Sequence, residues 1–229
     1  MNHFKKLVQQ LSAARAQYNP LRGLTIQRAV TLLEAGERGD YFNLQLTFRM
    51  IEKRDATLRG LKRRRSAALV KLDTDIKTIP EDELPKGATK EMAEAQAIAL
   101  REHYDGIRNL KAAIKALALA EFRGFTMLAK EYQGKPSKDP QLIDSLEFVE
   151  QWYWCRDGFA GKWKFDRDLS GSHRNAEEIP PEYLIIREVE DPIDEIALIC
   201  WLRKNLSQKD WDGFVEVFGI PDIFFIMPQ

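Results

Sequence analysis

Apolar residues along this chain recur first at helical spacing, then at strand spacing, and finally at helical spacing again. Phe4, Leu7, Val8 and Leu11 fall at i, i+3, i+4 and i+7, so a short N-terminal helix presents one apolar stripe before Asn19-Pro20 breaks it. That stripe needs a cover, supplied by its own domain or, if it forms an arm, by a neighbouring subunit. Thr25 is placed to N-cap a helix through Ala35, with Ile26, Ala29, Val30 and Leu33 inward and Gly36 or Gly39 near its end. Asp40 can cap the next, where Phe42, Leu46 and Met50 occupy one side and Leu44, Phe48 and Ile51 an adjoining one, a pattern that predicts burial around much of its circumference. Asp55 caps a third helix that runs toward Lys71. A polar loop over residues 78–90, holding Pro80, Pro85 and Gly87, leads into two alanine-rich helices at 90–104 and 109–123, joined near Asp105-Gly106.

Beyond Gly124 the spacing changes. Phe125 to Tyr132 reads as a strand and 133–144, with Gly134, Pro136 and Pro140, as a loop. Leu146, Phe148, Trp152 and Trp154 then share one face of an extended segment, with Val149, Tyr153 and Cys155 on the other. Asp157-Gly158 marks a turn, and Trp163 and Phe165 alternate in the returning strand of a hairpin. After a polar loop over 168–181, residues 183–189 are β-rich and are expected in the same sheet. The nearly continuous apolar run from Ile196 to Leu202 fits a buried helix over 195–205. Ser207 and Asp210 resemble a capping box for a further helix, with Trp211, Phe214, Val215 and Phe218 at i, i+3, i+4 and i+7 until Gly219 and Pro221 end it. Trp201, Trp211, Phe214 and Phe218 are therefore expected in the core. The expected class is α+β: a helical N-terminal half, a small mainly antiparallel sheet and two C-terminal helices. It divides into an arm or short helix over 1–20 and one domain over 21–229. The apolar segment 223–227 needs a partner strand or cover, which favours a polypeptide that continues past Gln229.

Composition narrows the function classes. At 44% hydrophobic and 31% charged residues the chain belongs with globular proteins. Its 35 Lys plus Arg cancel its 35 Asp plus Glu, so no global field draws it to nucleic acid or anionic lipid, and any DNA contact has to be local. Cys155 and Cys200 do not make a disulfide framework, which points to a reducing cytoplasm. There is no apolar run long enough to cross a bilayer and no secretory core near Met1, so neither membrane insertion nor secretion is expected.

Candidate chemistry is sparse. His3, His103 and His173 share no metal-ligand spacing, and no cofactor motif is present. The Gly158 to Lys162 stretch is too short for a phosphate loop and places Trp163 where a hydroxyl should hold magnesium, so it reads as a hairpin turn. Asp73 with Asp75, and Asp166 with Asp168, put two acids on one face if extended. They carry the alternative of a small metal-dependent DNA-processing enzyme, although neither pair has a third ligand. The densest charge is Arg59, Lys62, Arg63, Arg64 and Arg65. Arg59 and Arg63 point outward, while Arg65 falls in the stripe set by Leu58, Leu61, Ala68 and Leu69, where it would need a carboxylate partner. Arg59, Lys62, Arg63 and Arg64 are candidate contacts to DNA phosphates or to another subunit. Trp152, Tyr153, Trp154, Trp163 and Phe165 lack interleaved basic residues on both strands and fit a sheet core or subunit interface better than a stacking platform.

From Ala197 onward, ALICWLRKNLSQKDWDGFVEVFGIPDIFFIMP resembles the Mu-like bacteriophage portal proteins, through Lys204-Asn205, Lys209-Asp210-Trp211, Phe214, Gly219 and Pro221. The stretch from Leu24 through Asp75, with Met50-Ile51-Glu52, Arg54-Asp55, Leu58 and Arg65, is similar to the family's N-terminal region, as is Phe122 to Tyr132; Thr74 departs from an aromatic there. The resemblance implies the wing-forming part of a structural, non-enzymatic subunit without cofactors. Such a subunit forms a homo-oligomeric ring at the capsid vertex, serves DNA packaging and ejection, and joins head to tail. It implies as partners the terminase, head-completion proteins and double-stranded DNA held non-specifically, with no membrane. Its location would be the virion, and the host cytoplasm during assembly. Family members continue into stem and clip segments, so the chain is expected to be a fragment or truncated relative that assembles weakly. A stand-alone phage adaptor or regulator is a further alternative.

Overall fold

The computed structural model describes residues 19–72, 74–133, 142–158, 160–167, 169, 173 and 175–218. The apolar stripe of Phe4, Leu7, Val8 and Leu11 and the segment from Gly219 onward lie outside them.

The opening helices form where the caps place them. Helix α1 (Ile26–Glu37) begins at Thr25, whose Oγ1 accepts from the Arg28 amide at 3.2 Å. Helix α2 spans Phe42–Arg54; Tyr41 holds its cap position, and the Asp40 carboxylate accepts from the Phe42 amide. Helix α3 (Ala56–Lys71) is capped by Asp55, which accepts from the Thr57 and Leu58 amides, both at 2.9 Å. Ala29 is fully buried as expected, but Ile26 and Val30 are exposed, because α1 meets the core along a narrower strip than its apolar spacing suggests. The α1–α2 turn is pinned at Gly39, at φ +91°, whose carbonyl accepts from the Arg156 amide. A Cβ there would lie 2.0 Å from the Arg156 carbonyl oxygen, so only glycine fits.

Helix α4 (Lys90–Asp105) starts at its Thr89 cap, and the second alanine-rich helix is interrupted into α5 (Leu110–Leu117) and α6 (Ala120–Arg123). Strand β1 (Phe125–Tyr132) is central in an antiparallel sheet ordered β2-β1-β6, where β2 is Ile143–Val149 and β6 is Leu184–Glu188. Alternation sends Met127 to one face and Leu128 to the other. Met127 joins Val149, Trp152, Tyr153 and Trp154, whereas Leu128 and Leu146 pack under Ala113 and Ala116 of α5. The alanines allow α5 to lie close on the sheet.

The anticipated single sheet is two. The run from Leu146 to Trp154 does not stay extended, since a 3-10 turn at Gln151–Tyr153 carries the chain out of β2 and into a second sheet of β3 (Trp154–Arg156), β4 (Trp163–Phe165) and β5 (Glu177–Glu178). The β3–β4 hairpin turns at Gly158, at φ +68°, as its sequence indicates. The segment expected beside that hairpin returns instead as β6 to pair with β1. The aromatics Trp152, Tyr153, Trp154 and Phe165 are buried between the two sheets, with Trp163 packed against them.

The two anticipated C-terminal helices are one, α7 (Ile193–Phe218). No proline stands between Asn205 and Trp211, and Ser207 and Asp210 remain helical rather than forming a cap. Leu198 and Leu202 are buried against α1, α2 and α6, with Trp201 partly buried beside them. Past Lys204, which still pairs with Asp55 at 3.0 Å, the helix leaves the body. Trp211 is 64% exposed and Phe214 53%, the reverse of the core placement expected for them. The side chain of Phe218 is outside the described residues. Among the described residues no helix is long and apolar enough to cross a membrane.

Candidate functional site

Charged residues inside an otherwise apolar helix face have to be explained by their partners. Glu52, one residue beyond Ile51 on the inner side of α2, is only 3% exposed, and Arg123, at the end of α6, is 5% exposed. Arg123 donates from Nε to Glu52 Oε1 and from Nη2 to Glu52 Oε2, both at 2.7 Å, a bidentate fork that satisfies both carboxylate oxygens. Its Nη1 donates to Gln151 Oε1 at 2.9 Å, and Gln151 Nε2 donates in turn to the Phe125 carbonyl at 3.2 Å. The Gln45 amide donates to the Arg123 carbonyl at 2.8 Å. Lys62 of α3 reaches Glu52 from the solvent side. Burial raises the Glu52 carboxyl, but the hydrogen bonds and charges of Arg123 and Lys62 outweigh it and hold the group at about 2. Burial works against the Arg123 cation as well, and the bond to Glu52 and the charges of Glu52, Glu150 and Asp194 more than restore it.

This pair is the base of a recess of about 240 Å³ between α2 and α3, lined by Arg49, Lys53, Arg59, Lys62 and Arg63. Its one carboxylate, Glu52, is already engaged, so the walls carry an uncompensated positive charge. Arg49 lies 4.7 Å over the Trp152 ring, which fixes that wall. The recess is therefore cationic.

Of the candidate contacts, Arg59 and Arg63 line the recess and are exposed, and Arg64 is exposed but outside its lining. Lys62 is half-buried and committed to Glu52. Arg65 is not buried: it is 47% exposed and bonds Glu121 at 3.0 Å, because Leu61 and Ala68, which define its expected inner stripe, are themselves exposed. Of the two acidic pairs, one member each is described. Asp75 binds Arg101 at 3.2 Å on the surface, and Asp166 is buried, accepting from the Leu169 amide and lying 3.1 Å from His173 Nδ1. Asp73 and Asp168 lie outside the described residues. Among the described residues no three His, Cys, Asp or Glu side chains come together as metal ligands. Cys155 is buried, and burial followed by the charge of Asp166 pushes its thiol up to about 12, far from a reactive thiolate.

Arg49, Lys53, Glu52 and Arg123 belong to the site without having been read from the sequence. A lone glutamate among Phe48, Ile51 and Leu58 was the available signal.

The profile of one protein family, described as Portal protein of Mu bacteriophage, matches residues 45–229. No curated protein matches the chain.

Proposed function

The chain belongs to the family of Mu bacteriophage portal proteins, and from that premise we propose that it is a structural, non-enzymatic subunit of the ring at the capsid vertex through which phage DNA is packaged and ejected. Residues 21–229 form its wing-like domain. Its partners are copies of itself, the terminase and head-completion proteins, and its place is the virion vertex after assembly in the host cytoplasm. Arg59, Lys62, Arg63 and Arg64 form the cationic face that meets an anionic partner, either the DNA backbone or the acidic surface of another subunit.

The observation that carries this reading is the outer half of α7. A helix in water buries an apolar stripe or loses most of its stability. Between Arg203 and Val217, however, this helix exposes Leu206, Trp211, Phe214, Val215 and Val217, with the Trp211 and Phe214 rings stacked at 5.7 Å. Such a projecting aromatic face is suited to association. The prediction is that Trp211→Ala changes the unfolding free energy by less than about 0.5 kcal/mol while weakening concentration-dependent self-association in sedimentation velocity. A large drop in melting temperature with association intact would place Trp211 in the subunit's own core and remove this support.

A further inference from the structure

A second recess, of about 370 Å³, opens on the other end of α2. Its floor is aromatic: Tyr41, Phe125 and Trp163 pack with centroids 4.6 to 5.4 Å apart. Its rim is acidic, formed by Glu37 at the end of α1, Glu188 and Glu190 around the end of β6, and Glu195 in the first turns of α7. One guanidinium already occupies part of it. Arg156 lies 4.7 Å over the Trp163 ring, donates from Nε to the Tyr41 hydroxyl at 2.8 Å and pairs with Glu188 at 3.2 Å. Glu188 also accepts from the Trp163 indole at 2.8 Å and so is fully engaged.

The rest of the rim is not. Among the described residues Glu37, Glu190 and Glu195 form no ion pair, and burial together with the charges of Glu37 and Asp191 raises the Glu195 carboxyl. Gln45, which also lines the recess and is 1% exposed, donates from Nε2 to Arg123, while its Oε1 has no hydrogen-bond partner. A buried acceptor left unpaired costs roughly 1–3 kcal/mol, and it is a separate sign that a donor belongs here. Aromatic floor, free carboxylates and a spare acceptor together describe a receptor for a flat, donor-rich cation, the guanidinium of arginine.

The complement is present on the same chain. Arg59, Arg63 and Arg64 are exposed on α3 and form no ion pair among the described residues. These cations complement the acidic rim in charge, and the chain as a whole carries no net charge that would draw it to a duplex. We propose that the acidic, aromatic recess takes arginine side chains of the α3 face from a second copy of this chain, so that the cationic face contacts a neighbouring subunit and not DNA. The inference rests on the ring-subunit reading, since it names the partner of the cationic site in that assembly.

Charge swapping tests it with the full chain. Glu37→Arg with Glu195→Arg, and separately Arg59→Glu with Arg63→Glu, all at exposed positions, should each weaken self-association about tenfold or more without lowering the melting temperature. Mixing the two variants should restore association, because each then offers one reversed surface to the other. Failure of the mixture to associate, or single variants that associate like the parent, overturns the inference. So does a chain that stays monomeric at all concentrations. Loss of duplex binding in Arg59→Glu/Arg63→Glu with self-association unchanged overturns it in favour of DNA. Failure of the portal reading itself is read separately, from the location of the protein in phage particles.

Discussion

Arg123→Met should lower the unfolding free energy by about 3–5 kcal/mol, the cost of leaving one member of a buried ion pair without its partner. Glu52 would keep Lys62 as its one cation, and Gln151 would lose the donor that holds it between Arg123 and the Phe125 carbonyl. The side-chain volume is nearly conserved, so the loss reads the charge and not a cavity. Adding Glu52→Gln should recover part of it, because the neutral amide no longer needs a cation. Urea denaturation of the two single variants and the double variant measures the coupling; a loss below about 1 kcal/mol for Arg123→Met would mean that water already reaches Glu52.

Stability should fall between about pH 4 and pH 9 through Asp194, and Asp194→Asn should abolish that fall. Asp194 is 1% exposed in the first turn of α7, and neither carboxylate oxygen accepts a hydrogen bond. Burial, then the negative charge of Glu52 and a hydrogen bond to it, push the group up to about 9, against the pull of Arg123 and Lys62. Protonated, it donates to Glu52. In the unfolded chain it ionises near pH 4. Between those values the folded state holds one proton more than the unfolded, so stability drops by up to about 1.4 kcal/mol per pH unit and levels off above pH 9. Glu52 acts with the opposite sign: held at about 2, its contribution is complete above the ordinary glutamate range and lost on acidification toward pH 2. The asparagine variant, which still donates to Glu52, should gain on the parent as pH rises from 5 to 8. Parallel pH profiles would show Asp194 ionised and otherwise compensated.

Elements announced by local chemistry were legible from the sequence. The Asp55 cap set the start of α3, the alternation from Phe125 to Tyr132 set β1, and Asp157-Gly158 set the β3–β4 turn. Non-local pairings were not. Arg123 and Glu52 are 71 positions apart, and nothing near either residue points to the other. For β6, strand propensity identified the element but not its neighbour. The spacing of Trp211, Phe214 and Val215 correctly described a face, but periodicity shows that a face wants a cover without showing whether the same subunit supplies it. The capping-box signal at Ser207 failed because a cap requires the chain to leave helical geometry, and no residue there forces it to.

The central claim, a place at the portal vertex, is tested most directly by gold-labelled antibody against this chain on disrupted and intact particles of its phage. A portal subunit predicts label confined to one vertex per particle, at the head–tail junction. Label spread over the capsid, or particles that mature without the chain, would contradict it.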